Sequence, residues 1–253
     1  MRAVELCSTC VWKNLMGKNL MQQTRGRGVG FRYRAPSFRY MGIAKMRNPT
    51  QTSISGTIIE LRHCPGHSAP LARITFDDGK ECLVQAPEGC RIGDKIFSGI
   101  GAPVENGNML TLKEIPEGTQ IYNVESVPGD GGKFCRTSGT AAKLLSKFGN
   151  NALIELPSKK QRQFSLDCRA MIGIIAGAGR TEKPFLKAGK VYWAKRARNK
   201  KYPSISGAAQ NAVDHPFGNK RTSRKAKQRP APKFACAGRK VGKLHPRRTG
   251  RKK

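Results

Sequence analysis

The sequence predicts an all-β protein: two small barrels in succession, held between long basic N- and C-terminal extensions. Three observations predict it. Short runs rich in β-branched and aromatic residues recur through the middle of the chain between turn signals, and no stretch there carries a convincing helical apolar period. Glycine (28) and proline (15) are abundant among the 253 residues, which suits many turns and short strands. The formal net charge of +32 sits at the ends: residues 219–253 hold fifteen Lys/Arg and no acid, and residues 6–59 hold no acid either. Nine Lys/Arg fall between Lys13 and Arg47, whereas residues 48–157 carry ten basic and twelve acidic side chains.

The first block of strands runs over 54–115. Residues 54–61 are rich in β-branched side chains, and 71–76 end at Asp77-Asp78-Gly79. Asp-Gly between two strand-like runs signals a hairpin, which makes 80–85 the return strand. Pro87-Glu88-Gly89 reads as a turn, and Gly93-Asp94 leads into a strand at Lys95-Ile96-Phe97. Glu105-Asn106-Gly107-Asn108 is a further turn ahead of a strand at 109–115. About five short strands without a helix suit a small antiparallel barrel, and the OB type is the natural candidate. Pro116-Glu117-Gly118 repeats the earlier turn and opens a second block, with strands at 120–127, 140–147, 151–156, 162–166 and 170–175. Their connections are Pro128-Gly129-Asp130-Gly131-Gly132, Gly149-Asn150-Asn151 and Pro157-Ser158-Lys159. This second block reads as a barrel of SH3-like size. Beyond residue 176 the pattern loosens into Gly- and Lys-rich sequence. Residues 158–218 hold thirteen basic and three acidic side chains, so the positive field begins on this barrel's edge.

Composition sets the outer bounds. Hydrophobic residues make up 38%, low for a fully globular chain, but setting the extensions aside leaves roughly 170 residues, enough for two small cores. The longest apolar run, 171–179, is nine residues, well short of the about 20 that span a membrane, and the N-terminus carries no signal-peptide stretch. The eight cysteines (7, 10, 64, 82, 90, 135, 168, 236) form no repeating framework, so mostly free thiols in a reducing compartment are expected.

Chemistry-bearing constellations are mostly incomplete. Gly131-Gly132-Lys133 is followed by Phe134 and lacks the first glycine of a phosphate-binding loop, and Gly177-Ala178-Gly179 lacks the third glycine of a dinucleotide loop. Both read as turns. Cys7-x2-Cys10 and His63-Cys64-Pro65-Gly66-His67 are each half of a zinc site, but they lie more than fifty residues apart, and no metal is expected. Asp214-His215 are chain neighbours, an arrangement that rarely lets one orient the other, and no paired carboxylates occur. No cofactor and no enzymatic activity are expected.

The extensions point to a polyanion. Charge this dense repels itself and resists burial until phosphates neutralise it and release counterions. Between residues 25 and 40, Arg25, Arg27, Arg32, Arg34 and Arg39 alternate with Phe31, Tyr33, Phe38 and Tyr40, a texture suited to stacking on bases and pairing with phosphates. A plain solvated tail is the competing reading. Ahead of the C-terminal run stands Asn211-Ala212-Val213-Asp214-His215-Pro216-Phe217-Gly218, where Pro216 confines His215 to extended conformations and stiffens the loop. Such a loop either meets RNA bases or serves as a simple turn.

The segment 213–218, Val-Asp-His-Pro-Phe-Gly, resembles the hallmark loop of the universal large-subunit ribosomal protein two family in its archaeal/eukaryotic form. Further matching stretches are Ser68-Ala69-Pro70-Leu71-Ala72, Pro87-Glu88-Gly89, Pro116-Glu117-Gly118-Thr119, Pro128-Gly129-Asp130-Gly131-Gly132-Lys133 and Arg136-Thr137-Ser138-Gly139. Gly177-Ala178-Gly179-Arg180, Lys183-Pro184, Lys187-Ala188-Gly189 and Ala237-Gly238-Arg239-Lys240-Val241-Gly242 continue the series, so the resemblance covers nearly the whole chain from Gly17. It implies an OB-like barrel followed by an SH3-like barrel, with both termini extended into ribosomal RNA. It also implies support of subunit association, transfer-RNA binding and assembly of the peptidyl-transferase region, with His215 at the family's functionally important histidine. One departure is plain: where the family follows the loop with a run of glycines, this chain has Asn219-Lys220-Arg221-Thr222-Ser223.

The expected organisation is therefore an extension without assigned function at 1–15, ahead of a natural-looking start at Met16-Gly17-Lys18. A basic RNA-binding arm at 16–47 follows, then the OB-like barrel at 48–116 and the SH3-like barrel with its basic edge at 117–203. An RNA-penetrating loop and basic tail at 204–253 complete the chain. Besides the five arm arginines, the expected RNA-binding residues are Arg180, Lys195, Arg196, Arg198, Asp214, His215, Lys220, Arg221, Arg224, Lys225, Arg239, Lys240, Arg247 and Arg248. The expected partners are large-subunit ribosomal RNA, neighbouring ribosomal proteins and the small subunit across the interface, with no membrane, in the cytoplasmic ribosome. A free translation factor or RNA chaperone with two β-barrels is the alternative.

Overall fold

The computed structural model describes residues 34–219, 230–231 and 241–243. The chain divides into two compact units, Pro36–Lys187 on one side and Ala188–Lys253 with Met1–Ala35 on the other. Ten strands make up the first: β1 (Ile54–Arg62), β2 (Leu71–Phe76), β3 (Glu81–Gln85), β4 (Lys95–Ser98), β5 (Met109–Thr111), β6 (Gln120–Tyr122), β7 (Ala142–Phe148), β8 (Asn151–Glu155), β9 (Gln161–Ser165) and β10 (Arg169–Ile172). The all-β reading holds, with an OB-like barrel followed by an SH3-like one.

The strands share one sheet in the order β3-β2-β1-β4-β5-β10-β6-β7-β8-β9. All pairings are antiparallel except β4 with β5. The Asp77-Asp78-Gly79 hairpin closes as its sequence predicts, with Gly79 at φ +75°. Three expected strands stop short. The run at 170–175 ends at Ile172, and Ile175 keeps only an isolated bridge to Pro87. The run at 109–115 ends at Thr111, where Glu114 N–H turns back to the Thr111 carbonyl. The run at 120–127 breaks at Asn123, which sits in the left-handed region at φ +50°, and resumes only as an isolated bridge between Val124 and Phe134.

Two cores lie on opposite faces of the central strands. The first gathers Ile58, Ile74, Phe76, Val84 and Ile96 from β1–β4, together with Met109, Tyr122, Met171 and Ile175. The second gathers Leu110, Leu112, Ile121, Leu144, Ile154, Phe164, Ala170 and Ile172. Successive side chains on a strand point to opposite faces. So Met109 and Leu110 on β5, Tyr122 and Ile121 on β6, and Met171 and Ala170 on β10 each feed both cores. The expected boundary at 116/117 falls between β5 and β6, and β10 pairs with both.

A charged knot ties this centre to the chain entering it. Glu125 and Arg169 are buried and pair at 2.6 Å between Oε1 and Nη2. Glu125 also accepts the N–H groups of Gly129 (3.1 Å), Gly131 (3.0 Å) and Arg169 (3.0 Å), while Arg169 Nη1 donates to the Arg47 carbonyl at 2.7 Å. Arg47 is itself buried, pairs with Asp78 through Nη1 and Nη2 and lies 4.9 Å over the Phe76 ring. Residues 44–47, which the sequence places in the basic arm, are thus part of the barrel unit. Lys45 N–H bonds to Leu83 O, Met46 N–H to Gly131 O, and the Ala44 side chain is buried.

In the other unit a helix, α1 (Ala188–Ala197), occupies sequence whose pattern had only looked loose. Ala, Lys and Arg are good helix formers, and Lys195 and Arg196 in its last turn complement the helix dipole. Its end is a Schellman-type stop: Asn199 takes φ +50°, Lys200 N–H reaches Lys195 O at 2.8 Å, and Asn199 N–H reaches Arg196 O at 2.9 Å. Asparagine there does what glycine usually signals, and with no acidic residue in the first turn the helix lacks its common sequence marks. No helix of the described residues is long and apolar enough to cross a membrane.

Candidate nucleic-acid interface

The loop carrying His215 is a compact, hydrogen-bonded turn. Asp214 and His215 N–H groups bond to Asn211 O, Gly218 N–H bonds to His215 O, and Asn219 N–H returns to Gln210 O at 3.0 Å. Phe217 N–H donates to His215 Nδ1 at 3.0 Å. An accepting Nδ1 places the imidazole proton on Nε2. Burial and then the nearby Lys201 ammonium lower the His215 pKa from its ordinary value, so the ring is neutral at neutral pH. It tilts against the Phe217 ring at 5.1 Å and lies over Gly207, where a Cβ would collide with the imidazole. Gly218 is equally constrained, since its Cβ would strike the Asn211 carbonyl. Asn219, at the point where the family's glycine run would continue, takes φ +55°, a region asparagine tolerates.

Lys195 and Arg196 lie on α1 and Arg198 in the turn after it, all exposed. Among the described residues no carboxylate pairs with any of the three. Arg196 stands 5.1 Å over the Trp193 ring, and Tyr192 meets that ring edge-on at 5.4 Å. Arg34 is exposed and its carbonyl accepts the Asn199 amide at 2.9 Å. In the barrel unit, Arg39 is exposed beside Phe38, and Arg180 Nε donates to Ser138 Oγ at 2.8 Å. Arg25, Arg27, Arg32, Lys220, Arg221, Arg224, Lys225, Arg239, Lys240, Arg247 and Arg248 lie outside the described residues. Trp193 and Tyr192 were not foreseen as site residues. Their signal was an aromatic pair inside an acid-free basic stretch, the texture that marked the N-terminal arm.

The glycine-rich segment 128–133 has a physical reason not to cradle a phosphate. Its amides already serve carboxylates of the chain: Glu125 takes Gly129 and Gly131, and Asp130 takes Ser126 (3.0 Å), Val127 (3.3 Å) and Gly132 (3.0 Å). Burial works against the Asp130 charge, but the Gly132 and Ser126 amides, the Lys133 ammonium and the Val127 amide outweigh it and hold the carboxyl below its usual range. Gly132, at φ +96°, has no room for a side chain beside Asn123. His67 Nδ1 lies 3.2 Å from Cys64 Sγ, and among the described residues no group of three or more His, Cys, Asp and Glu could hold a metal ion. Cys64, Cys82, Cys90, Cys135 and Cys168 are free thiols, and burial pushes Cys82 up to about 12. Cys7, Cys10 and Cys236 fall outside the described residues.

Comparison with known proteins covers both barrels. Residues 12–98 match the family model described as Ribosomal Proteins L2, RNA binding N-terminal domain, and residues 105–235 match Ribosomal Proteins L2, C-terminal domain. The chain is 46% identical over 237 residues to the large ribosomal subunit protein uL2 of Natronomonas pharaonis, across 93% of this chain and 97% of that one. It is 45% identical over 242 residues to uL2 of Methanothermobacter thermautotrophicus, across 94% and 100% of the two chains. Against uL2 of Haloarcula marismortui it is 45% identical over 237 residues, across 93% and 98%.

Proposed function

The chain belongs to the ribosomal protein L2 family, archaeal type, and is a structural constituent of the large ribosomal subunit; on that premise we propose that it binds large-subunit ribosomal RNA through the basic segments flanking and following its barrels. The observation that carries the reading is the pair of domain matches spanning residues 12–235, the first of them to an RNA-binding domain. In this reading the protein works in the cytoplasmic ribosome beside neighbouring ribosomal proteins and performs no catalysis itself. It supports association with the small subunit, transfer-RNA binding and assembly of the peptidyl-transferase region.

Charge and shape support this division of labour. A-form RNA offers phosphates and 2′-hydroxyls rather than readable base edges, so cations on an exposed helix and on tails suit it better than a recognition groove. The RNA-facing residues are Arg34, Arg39, Arg180, Lys195, Arg196, Arg198, Asp214 and His215, continued by those of the arm and tail. His215 acts by position. Its Nδ1 is occupied by the Phe217 amide, so Nε2–H is the donor it offers an RNA acceptor. The decisive experiment is sedimentation of the full chain with large subunits through a high-salt wash. Stable co-sedimentation is the expected result. Release into the soluble fraction would favour a free translation factor or RNA chaperone.

A further inference from the structure

We propose that Trp193 on α1 is a stacking platform for an unpaired RNA base. The inference rests on the RNA-binding reading above and specifies how this helix engages its polyanion. No residue of α1 is buried, and Trp193 is 62% exposed. A tryptophan left this open on a helix is unusual, because burying so large an apolar surface is favourable. The ring is held nonetheless. Tyr192 meets it edge-on, with centroids 5.4 Å apart and planes at 82°, and the Arg196 guanidinium stands 5.1 Å from its centroid. Two neighbours thus orient the indole while more than half of its surface stays open.

The electrostatics select the occupant. Residues 183–213 contain eight Lys/Arg and no Asp or Glu. An apolar protein surface would leave these cations desolvated and unpaired on docking. RNA supplies both halves of the complement: phosphates for Lys190, Lys195 and Arg198, and a flat π-face for the indole. The base must be unpaired, since bases within an A-form helix are already stacked and only loops, bulges and single strands present a free face.

The test uses the full chain with Trp12→Phe, so that Trp193 is the sole tryptophan and its emission reports one place. Four polyanions of equal charge are titrated: single-stranded oligo(A), a blunt A-form duplex, inorganic polyphosphate and polyglutamate. Oligo(A) is expected to quench Trp193, while the duplex and polyphosphate bind without quenching. At elevated salt, where the phosphate contacts of the tails are screened, Trp193→Ala should weaken oligo(A) about tenfold, and Trp193→Phe should recover most of the loss. Duplex affinity and the salt slope should stay unchanged in both. Because no residue of α1 is buried, neither substitution disturbs a core, and unchanged circular dichroism verifies this. Oligo(A) binding without quenching, or equal weakening of oligo(A) and duplex, would overturn the stacking proposal while leaving RNA binding intact. Quenching by polyglutamate as strong as by oligo(A) would assign the face to an acidic protein and overturn it too. If neither RNA bound better than polyglutamate, the RNA-binding reading would itself fail, and the proposal with it.

Discussion

In the barrel unit, Arg47 and Arg169 point inward. Arg169 is buried against Glu125, and Arg47 is buried against Asp78 and the Phe76 ring. In the unit that begins at Ala188, Lys195, Arg196 and Arg198 stand exposed, with no carboxylate partner among the described residues. The supply of acids nearby separates the two cases. Residues 48–157 carry twelve acidic side chains against ten basic, and two of those acids, Asp78 and Glu125, draw Arg47 and Arg169 into the fold's internal wiring. Residues 183–213 carry none, and there a cation keeps its charge available for something outside the chain. A count of positive charge alone treats both as RNA-binding surface, and tertiary structure divides them.

The sharpest way to break this comparison is to cut the barrel unit at its apparent seam. A fragment ending at residue 116 loses Tyr122, Met171 and Ile175 from the first core and leaves β5 without β10. It should show no cooperative thermal or denaturant transition, whereas a fragment of residues 36–187 should unfold in one. Independent folding of the shorter piece would mean the two cores are separable after all.

The next largest effect is expected at Glu125. Glu125→Ala leaves the buried Arg169 charge and the buried N–H groups of Gly131 and Arg169 without their acceptor, which should cost about 3–5 kcal/mol in denaturant unfolding. The matching change in the other unit, Gln at Lys195, Arg196 and Arg198 together, should alter stability by less than about 0.5 kcal/mol. It should instead make the log–log salt dependence of RNA binding shallower by about 2, at roughly 0.7–0.9 per lost phosphate contact. A stability loss in the triple variant, or none in Glu125→Ala, would erase the distinction between inward and outward charge.

The smallest effect concerns His215. Its folded pKa lies below the ordinary value of 6.5, because burial and Lys201 disfavour the imidazolium. The neutral ring therefore contributes its loop stability fully above pH 6.5, and that contribution is lost as pH falls through the lowered folded value. Imidazole proton shifts in the free protein should titrate with a midpoint below 6.5, and the Phe217 amide resonance should move with them as its Nδ1 acceptor is lost. A midpoint above 6.5 would mean the imidazolium is favoured in the fold, with Nδ1 protonated and unable to accept the Phe217 amide.

Much of this molecule was legible without coordinates. Turn chemistry at Asp78-Gly79, Pro87-Glu88-Gly89 and Pro116-Glu117-Gly118, with β-branched runs between, located the ten strands because both signals act over a few residues. Segregation of charge needs no fold at all to be seen, and the 213–218 segment together with its companion stretches identified the family. What lay beyond reach depended on partners far along the chain or on a single backbone angle. Insertion of β10 between β5 and β6 brings together residues as far apart in the chain as Met109 and Met171, or Ile121 and Ile172. Nothing local to Arg47 distinguishes it from Arg39, yet an Asp78 carboxylate and a Phe76 ring wait for one and not the other. Asn123 breaks a strand and Asn199 ends a helix through left-handed angles that their sequence neighbours do not announce. The protonated nitrogen of His215 is set by the Phe217 amide, a bond that exists only once the turn has closed. Local preference is written residue by residue, whereas the choice among buried, paired and exposed charge follows from which distant groups the packed sheet brings within hydrogen-bonding distance.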